Sequence, residues 1–381
     1  MKLAVVIPKD PESGCGVADY AGRLRQSLFE LNPSLRTTIL WPAVDDASGD
    51  WQIGDRARGI RFGQSILSAI EGMPGPTIDL PQAVLLQYSG YGFSRNGAPA
   101  WLIATLDYLR EKRKHLQLLT YFHEVYATSP PWRRAFYYTR QQKRVAAEVA
   151  MRSDAILTNR LKSGRWLDQF RDERSEQCYV LAVPSNVGEP KSWPCWQHRR
   201  DELVLFGGSR FKQVFLAGRY SSKVVAIAKQ LSVDKIINIG SRVPEFARCF
   251  GIAGLNVEQT GYLNAMEVSK ILARTKFGLF EYFPDFLTKS GVLAAYAAHG
   301  VVPVCRRRVW NALKGEIDYL GGGAILGFHA MRTLSQLEKS GEFAQLSRRL
   351  FSWYESHCLR RHALCIDELL EQRARHSAVP S

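Results

Sequence analysis

The chain of 381 residues is notable first for what it does not contain. No apolar run approaches the ~18 residues that a membrane-spanning helix requires. Cysteine is sparse: seven residues, an odd number, at positions 15, 178, 195, 249, 305, 358 and 365, none in Cys-x-x-Cys spacing. That excludes a disulfide scaffold and reads as reduced thiols. The segment His357-Cys358…His362…Cys365 gathers ligand-type side chains, but on one helix they do not share a face, so no metal site is expected. A Walker loop, Gly-x-x-x-x-Gly-Lys-Ser/Thr, is missing, and so is an Asp-x-Asp motif placed for a divalent ion. No zinc finger, RNP-type strand or helix-turn-helix signature occurs, so nucleic acid is not an expected partner. Internal repeats and low-complexity segments are absent as well. The apolar start, Leu3 to Ile7, is stopped by Pro8-Lys9-Asp10, too early for a signal peptide. The expectation is a cytoplasmic protein.

What is present points to a packed enzyme-sized protein. Hydrophobic residues make up 46% and aromatics 11%, enough for cores of two domains rather than a disordered chain. The net charge is +15, with basic clusters at Arg133–Arg134, Arg140 to Arg144, Arg306–Arg308, Arg348–Arg349 and Arg360–Arg361. Such a surface suits a phosphorylated ligand or an anionic membrane face, and peripheral contact at the inner face of the membrane is the favoured reading.

Short apolar runs alternate with amphipathic helices. Strands are expected at Leu3–Pro8, Thr37–Pro42, Ala83–Tyr88, Leu116–Phe122 and Asp154–Thr158. Helices are expected over Gly16–Leu31, Trp101–Lys114, Arg133–Met151 and Leu161–Phe170. This is the pattern of βαβ units and a parallel sheet. Val183 to Pro194 holds three prolines and no periodicity, a linker signature. Alternation then restarts with Leu203–Phe206 and runs through Phe277–Phe280. A basic amphipathic tail follows, from about Phe343 to Arg375.

Ligands of open α/β sheets bind beyond the carboxyl ends of the strands. Five strand-end segments therefore hold the candidate chemistry. Gly14, Cys15, Gly16 and Asp19 follow the first strand in a Gly-x-Gly turn that lacks the third glycine of the dinucleotide fingerprint. Tyr88 and Tyr91 lie in a glycine-rich aromatic loop suited to stacking on sugar rings. His123 and Glu124 form an adjacent pair at a strand end, with His123 a candidate base or hydroxyl ligand. Gly207, Gly208, Ser209, Arg210 and Lys212 combine exposed backbone N–H groups with two cations, and Arg219 is in reserve. The most telling stretch is Lys276–Val304: a strand, the carboxylates Glu281 and Asp285, then Lys289-Ser290-Gly291 opening a small-residue helix. A helix N-terminus beside a lysine is an anion site, and the two carboxylates stand where sugar hydroxyls can be held.

In these segments the chain resembles GT-B glycosyltransferases, closest to the retaining, nucleotide-sugar-dependent enzymes of family 4. The likeness extends over nearly the whole chain. It implies an α/β fold of two Rossmann-like, doubly wound domains facing a cleft. The expected division is an acceptor-side domain over 1–183, a linker over 184–201, a donor domain over 202–345 and a helical tail over 346–381 that packs back on the first domain. It further implies transfer of a sugar from a nucleotide diphosphate sugar to a hydroxyl acceptor, on a glycan or a lipid-linked glycan, without metal or other cofactor. His123, Glu281 and Asp285 would serve the reacting centre. Gly207 to Lys212 and Lys289 to Gly291 would hold the donor diphosphate, and the Gly14–Asp19, Tyr88, Tyr91 and Glu124 segments would face the acceptor. One departure stands out: eight positions after Glu281, where the family carries a second glutamate, this chain has Lys289, and alignment on Gly300 instead puts Ala295 there. Two rival functions follow from the residues: a nucleotide-sugar or glycan binder without turnover, from the missing glutamate, and an NAD(P)-dependent oxidoreductase, from Gly14 and Gly16.

Overall fold

A computed structural model describes residues 1–42, 54–74, 80–171, 178–216, 219–305, 326–327 and 341–377. The chain divides into two units, Met1–Leu181 with Leu359–Ser381, and Ala182–Cys358. Each is an α/β layer structure around a parallel sheet.

In the first unit the order is β1 (Lys2–Val6), α1 (Gly16–Leu31), β2 (Arg36–Leu40), α2 (Gly54–Glu71), β3 (Gln82–Ser89), α3 (Gly90–Phe93), α4 (Trp101–Lys112), β4 (Gln117–Glu124), α5 (Arg134–Met151), β5 (Ala155–Thr158), α6 (Leu161–Leu167) and β6 (Tyr179–Val180). The sheet runs β2-β1-β3-β4-β5-β6, every pair parallel. Its central strands are buried on both faces, which explains their unbroken apolar reading in sequence. One face packs on α2, α4 and α5 through Ile66, Ile70, Leu102, Leu106 and Val149. The other packs on α1 through Ala21, Leu24 and Leu28.

The second unit contains β7 (Arg200–Phe206), α7 (Ser209–Gln213), α8 (Arg219–Gln230), β8 (Lys235–Ile239), α9 (Pro244–Gly251), β9 (Asn256–Gly261), α10 (Ala265–Arg274), β10 (Thr275–Phe280), α11 (Gly291–Ala298), β11 (Val302–Cys305), β12 (Leu326–Gly327) and α12 (Glu342–Glu355). Its parallel sheet is ordered β12-β11-β10-β7-β8-β9. Helix α10 starts at a reciprocal capping box, Asn264 with Glu267, which satisfies two of the N–H groups left open at its end.

Two expectations change here. The proline-rich stretch 184–201 is not a separate linker but part of the second unit. Trp193 donates its indole N–H to Ser347 Oγ at 3.0 Å, and Arg199 is buried among carbonyls of the same unit. Prolines interrupt periodicity without loosening the chain when polar groups of this kind tie it down. The tail also divides. Helix α12 puts Leu350, Trp353 and Tyr354 into the second unit's core. A break at Ser356–Cys358 follows, and α13 (Leu359–Ser377) packs Ala363, Ile366, Leu369 and Leu370 against the first unit beside α1. Helix α2 has no counterpart in the sequence reading, which assigned nothing to that stretch. All seven cysteines are free. Among the described residues no helix is long and apolar enough to cross a membrane.

Candidate functional site

The second unit's sheet dictates where a ligand can enter it. The chain leaves β7, builds β8 and β9 to one side, then returns to place β10 on the other side of β7. The loops after β7 and β10 therefore run apart and leave a crevice at the strands' carboxyl ends, the switch point of a doubly wound sheet. A cavity of about 140 Å³ occupies this crevice, lined by Gly207, Gly208, Phe211, Lys212, Glu281, Tyr282, Ser290 and Gly291 among others. Two stretches that are far apart in sequence, 205–215 and 279–292, thus meet at one place.

Each lining group has a local cause. Gly207 holds φ at 123°, a backbone geometry closed to side chains, and so turns the chain sharply off β7. Gly208 follows with ordinary extended angles and open space where a Cβ would be. After β10, the buried Glu281 precedes a 3-10 turn over Pro284–Lys289, and Ser290 then caps α11 by accepting from Leu293 N–H. The first backbone bond of α11 is Ala294 N–H to Ser290 O. The N–H groups of Gly291 and Val292 precede that bond and carry the positive end of the helix dipole into the cavity lining. Helix α11 is buried from Leu293 to Ala298, so its chemistry is confined to its start.

The expected cations are placed unequally. Lys212 is fully buried and donates to the carbonyls of Ile239 at 2.5 Å and Ser241 at 3.2 Å. Burial pushes its pKa down to about 8. Its ammonium thus fixes the end of β8 beneath the glycine loop while its side chain lines the cavity. Lys289 is half-buried with Nζ 5.8 Å from the Phe286 ring, and Asp285 is exposed at the start of the same turn. Ser209 is exposed as the first residue of α7. The side chains of Arg210 and Arg219, and residues Arg306–Arg308, lie outside the described residues.

Three residues that carry no motif hold this site in shape. The Tyr296 hydroxyl accepts from Phe206 N–H at 3.3 Å and lies within donating reach of the Val204 and Leu279 carbonyls, at 3.3 and 3.1 Å. It therefore clamps the ends of β7 and β10, the two strands whose loops form the crevice. Arg199 donates to the carbonyls of Pro194, Thr275, His299 and Gly300. His299 donates from Nδ1 to Ala295 O at 2.7 Å, and its Nε2 lies 2.7 Å from Ser269 Oγ. Burial first, then the nearby Arg199 charge, lowers its pKa to about 4. The only sequence cue to Tyr296 was a single large polar side chain in a run of alanines.

The first unit has its own switch point, between β1 and β3. Gly14 turns the chain with φ at 67°, and Cys15 and Gly16 open α1. Asp19, in the first turn of α1, pairs with Arg23 at 3.2 Å. At the end of β4, His123 is buried, with Nε2 2.7 Å from Gln87 Oε1 and its ring 4.4 Å from that of Tyr121. Tyr20 stacks edge-on to His123 at 5.3 Å and bonds His362 Nδ1 at 2.8 Å. Glu124 is exposed beside it. Tyr91 is 41% exposed, with its hydroxyl accepting from Gln142 at 2.9 Å. Tyr88 departs from expectation: it is a core residue, fully buried against Phe122, with no partner for its hydroxyl among the described residues. Strand alternation is the reason, since Gln87 takes the face toward His123 and Tyr88 must take the opposite one. Of the former metal-ligand suspects, His357 stacks on Trp353 and His362 bonds Tyr20. Among the described residues no group of three His, Cys, Asp or Glu side chains is placed to hold a metal ion.

No family profile and no characterised protein matches the chain in sequence. Solved structures do match. A UDP-N-acetylglucosamine 2-epimerase assignment from Listeria monocytogenes aligns with a TM-score of 0.59 and 11% identity over 98% of this chain and 97% of that one. Anabaena HepE, solved with UDP-glucose, aligns with a TM-score of 0.53 and 11% identity over 98% of this chain and 100% of that one. An α-glucosyltransferase solved with UDP-glucose and abasic-site DNA aligns with a TM-score of 0.52 and 12% identity over 98% and 99% of the two chains. At such low identity the likeness speaks to fold: two Rossmann-like units in series, the GT-B architecture.

Proposed function

We propose that the chain is a glycosyltransferase that moves a sugar from a nucleoside diphosphate sugar to a hydroxyl of a glycan or lipid-linked acceptor. The observation that carries this reading is the switch-point cavity of the second unit. It sets the glycine backbone at 207–208 and the start of α11 beside the buried carboxylate Glu281. An anion-binding wall and a hydroxyl-binding carboxylate are the two features that a sugar diphosphate demands of one pocket. When the glycosidic bond breaks, the anomeric carbon becomes cationic and the departing diphosphate gains charge. Backbone N–H groups and the α11 dipole, with Lys289 near by, stabilise that charge without reorganising. Glu281, with Asp285 beyond it, holds donor hydroxyls. Lys212 serves as a positioning residue under the glycine loop. His123 and the Gly14–Asp19 turn serve the acceptor, and the stereochemical course is retention. The structural neighbours solved with UDP-glucose support a uridine diphosphate donor.

A second reading, donor binding without turnover, is favoured by one observation: Ala295, one of the two positions for the missing glutamate, is fully buried inside α11. A panel of UDP-sugars, read by UDP release with and without glycan and lipid-linked acceptors, tests both. Acceptor-dependent UDP release with a new anomeric linkage supports transfer. Saturable UDP binding with no release on any acceptor removes the enzyme reading, and no UDP binding at all removes the site.

A further inference from the structure

The first unit carries a surface that the sugar-transfer reading does not use. Between Glu124 and Glu148 the sequence has no acidic residue, yet it holds Arg133, Arg134, Arg140, Lys143 and Arg144. The same stretch exposes large aromatics: Trp132 is 80% exposed, Tyr137 75% and Phe136 43%. Helical geometry gathers them. Positions 136, 137, 140 and 144 fall on one side of α5 at steps of three and four, Arg133 is the N-cap that precedes them, and Arg133, Arg140 and Arg144 are exposed with the two aromatics. The stripe is roughly 16 Å long at 1.5 Å per residue. On the opposite side, Val145, Ala146, Val149 and Ala150 anchor the helix in the unit's core. The aromatic side chains on this stripe are therefore not core residues displaced by misfit.

We infer that this basic-aromatic face of α5, with Trp132 at its start, docks on the surface of an anionic lipid bilayer. The chemistry selects that partner. Arginine side chains seek lipid phosphates, while Trp and Tyr rings settle at headgroup depth with one end apolar and one wet. Duplex nucleic acid would use the cations but leave the exposed Trp and Phe rings without purpose. Single-stranded nucleic acid is held in basic grooves where bases stack, whereas this face is the outward side of one helix. The site also adjoins the loop of Tyr91, through the Gln142 hydrogen bond from α5 to the Tyr91 hydroxyl. A membrane-borne acceptor would thus be met by the unit assigned to acceptor binding. Only that last link rests on the sugar-transfer reading; lipid binding needs neither donor nor acceptor.

The test is co-sedimentation of the full chain with vesicles of phosphatidylcholine alone or mixed with phosphatidylglycerol. Binding is expected only to the anionic vesicles. Each basic residue at such a surface contributes about fivefold in partitioning, so Arg133→Ser/Arg140→Ser/Arg144→Ser should weaken binding about 100-fold. Trp132→Ser/Tyr137→Ser should weaken binding at least tenfold, and brominated lipid should quench Trp132 fluorescence, judged against Trp132→Phe. Because these side chains are exposed, thermal midpoints should not move. Arg348→Ser/Arg349→Ser/Arg360→Ser removes the same charge elsewhere and should lose less than threefold. An equal loss in that control would reduce the effect to diffuse charge and overturn the assignment. Tighter binding to DNA or RNA than to anionic vesicles would overturn it too. Failure here leaves UDP binding and release untouched, so the two readings fall separately.

Discussion

Substituting alanine at Gly207 and at Gly208 separates the demands of folding from those of a ligand. Gly207 lies at φ 123°, and a Cβ there would stand 3.2 Å from Val292 Cγ2 on the far wall of the crevice. Backbone strain of this kind costs about 1–3 kcal/mol. For a unit of this size each kcal/mol moves the midpoint by about 2–4 °C, so Gly207→Ala should unfold about 2–12 °C earlier. Gly208 has φ −68° and ψ 148°, angles open to alanine. Its added Cβ would meet nothing within 4 Å. The entropic gain of Gly→Ala, about 0.4–1 kcal/mol, is offset by loss of a favourable residue at the start of α7. Gly208→Ala should therefore keep its midpoint within about 2 °C of wild type.

Ligand binding reverses the order of severity that stability would suggest. If a diphosphate lies against the 207–208 backbone, a methyl group at 208 displaces it and breaks a charge-assisted bond of about 1.5–3 kcal/mol. That is a loss of about 10–150-fold in affinity. Calorimetric titration with UDP and thermal scanning of the same samples give both numbers. A Gly208→Ala protein with an unchanged midpoint that binds UDP within twofold of wild type would show that no phosphate approaches this loop. The reasoning about the crevice would then fail, whatever the protein's activity.

Other perturbations test the supporting structure. Tyr296→Phe removes the hydroxyl shared by β7 and β10 and its hydrogen bonds, a cost of about 0.5–1.5 kcal/mol; the thermal midpoint should fall and UDP affinity with it, and an unchanged affinity would deny the clamp any role in the site. His299 has its pKa lowered from 6.5 to about 4, so the unfolded chain binds the proton first and stability is lost as pH falls through that window. The loss at pH 4 is bounded by about 3 kcal/mol, and urea titrations from neutral pH to pH 4 should flatten in His299→Gln. Tyr20→Phe deletes the 2.8 Å bond to His362; at a net cost of about 1–3 kcal/mol, α13 should become more sensitive to limited proteolysis while α12 does not.

Much of the fold was legible because both sheets are parallel and buried. Leu3 to Ile7, Ala83 to Leu86 and Leu203 to Leu205 have no polar face to disguise them, and glycines or caps mark the turns between them. The failures share a cause. Helix α2 went unseen because its buried stripe, at 59, 62, 63, 66, 67 and 70, places glycine at 59 and 63, where it packs closely on α4 but adds nothing to an apolar period. Positions 184–201 read as a linker because prolines are visible in sequence, while the bonds of Trp193 and Arg199 reach residues far along the chain. Tyr88 read as an exposed stacking residue because its loop is rich in glycine, but its strand register turns it inward.

The same distinction explains the odd signature. A search for a second glutamate treats the donor site as a list of side chains, yet α11 is buried on all sides beyond its first turn. A carboxylate at Ala295 would be an uncompensated charge in the core, at a cost no sugar hydroxyl could offset. What remains at the helix start is backbone: the glycine at 291, the cap at Ser290 and the N–H groups ahead of the first intrahelical bond. Backbone donors have no letter in the sequence. They become visible only once β7 and β10 are known to be neighbours, held together by Tyr296, with Gly207–Gly208 facing the start of α11 across the crevice. Side-chain substitutions at Lys289 or Asp285 should therefore weaken donor binding less than Gly208→Ala does, and a set of Kd values for UDP in the opposite order would return the site to its charged side chains.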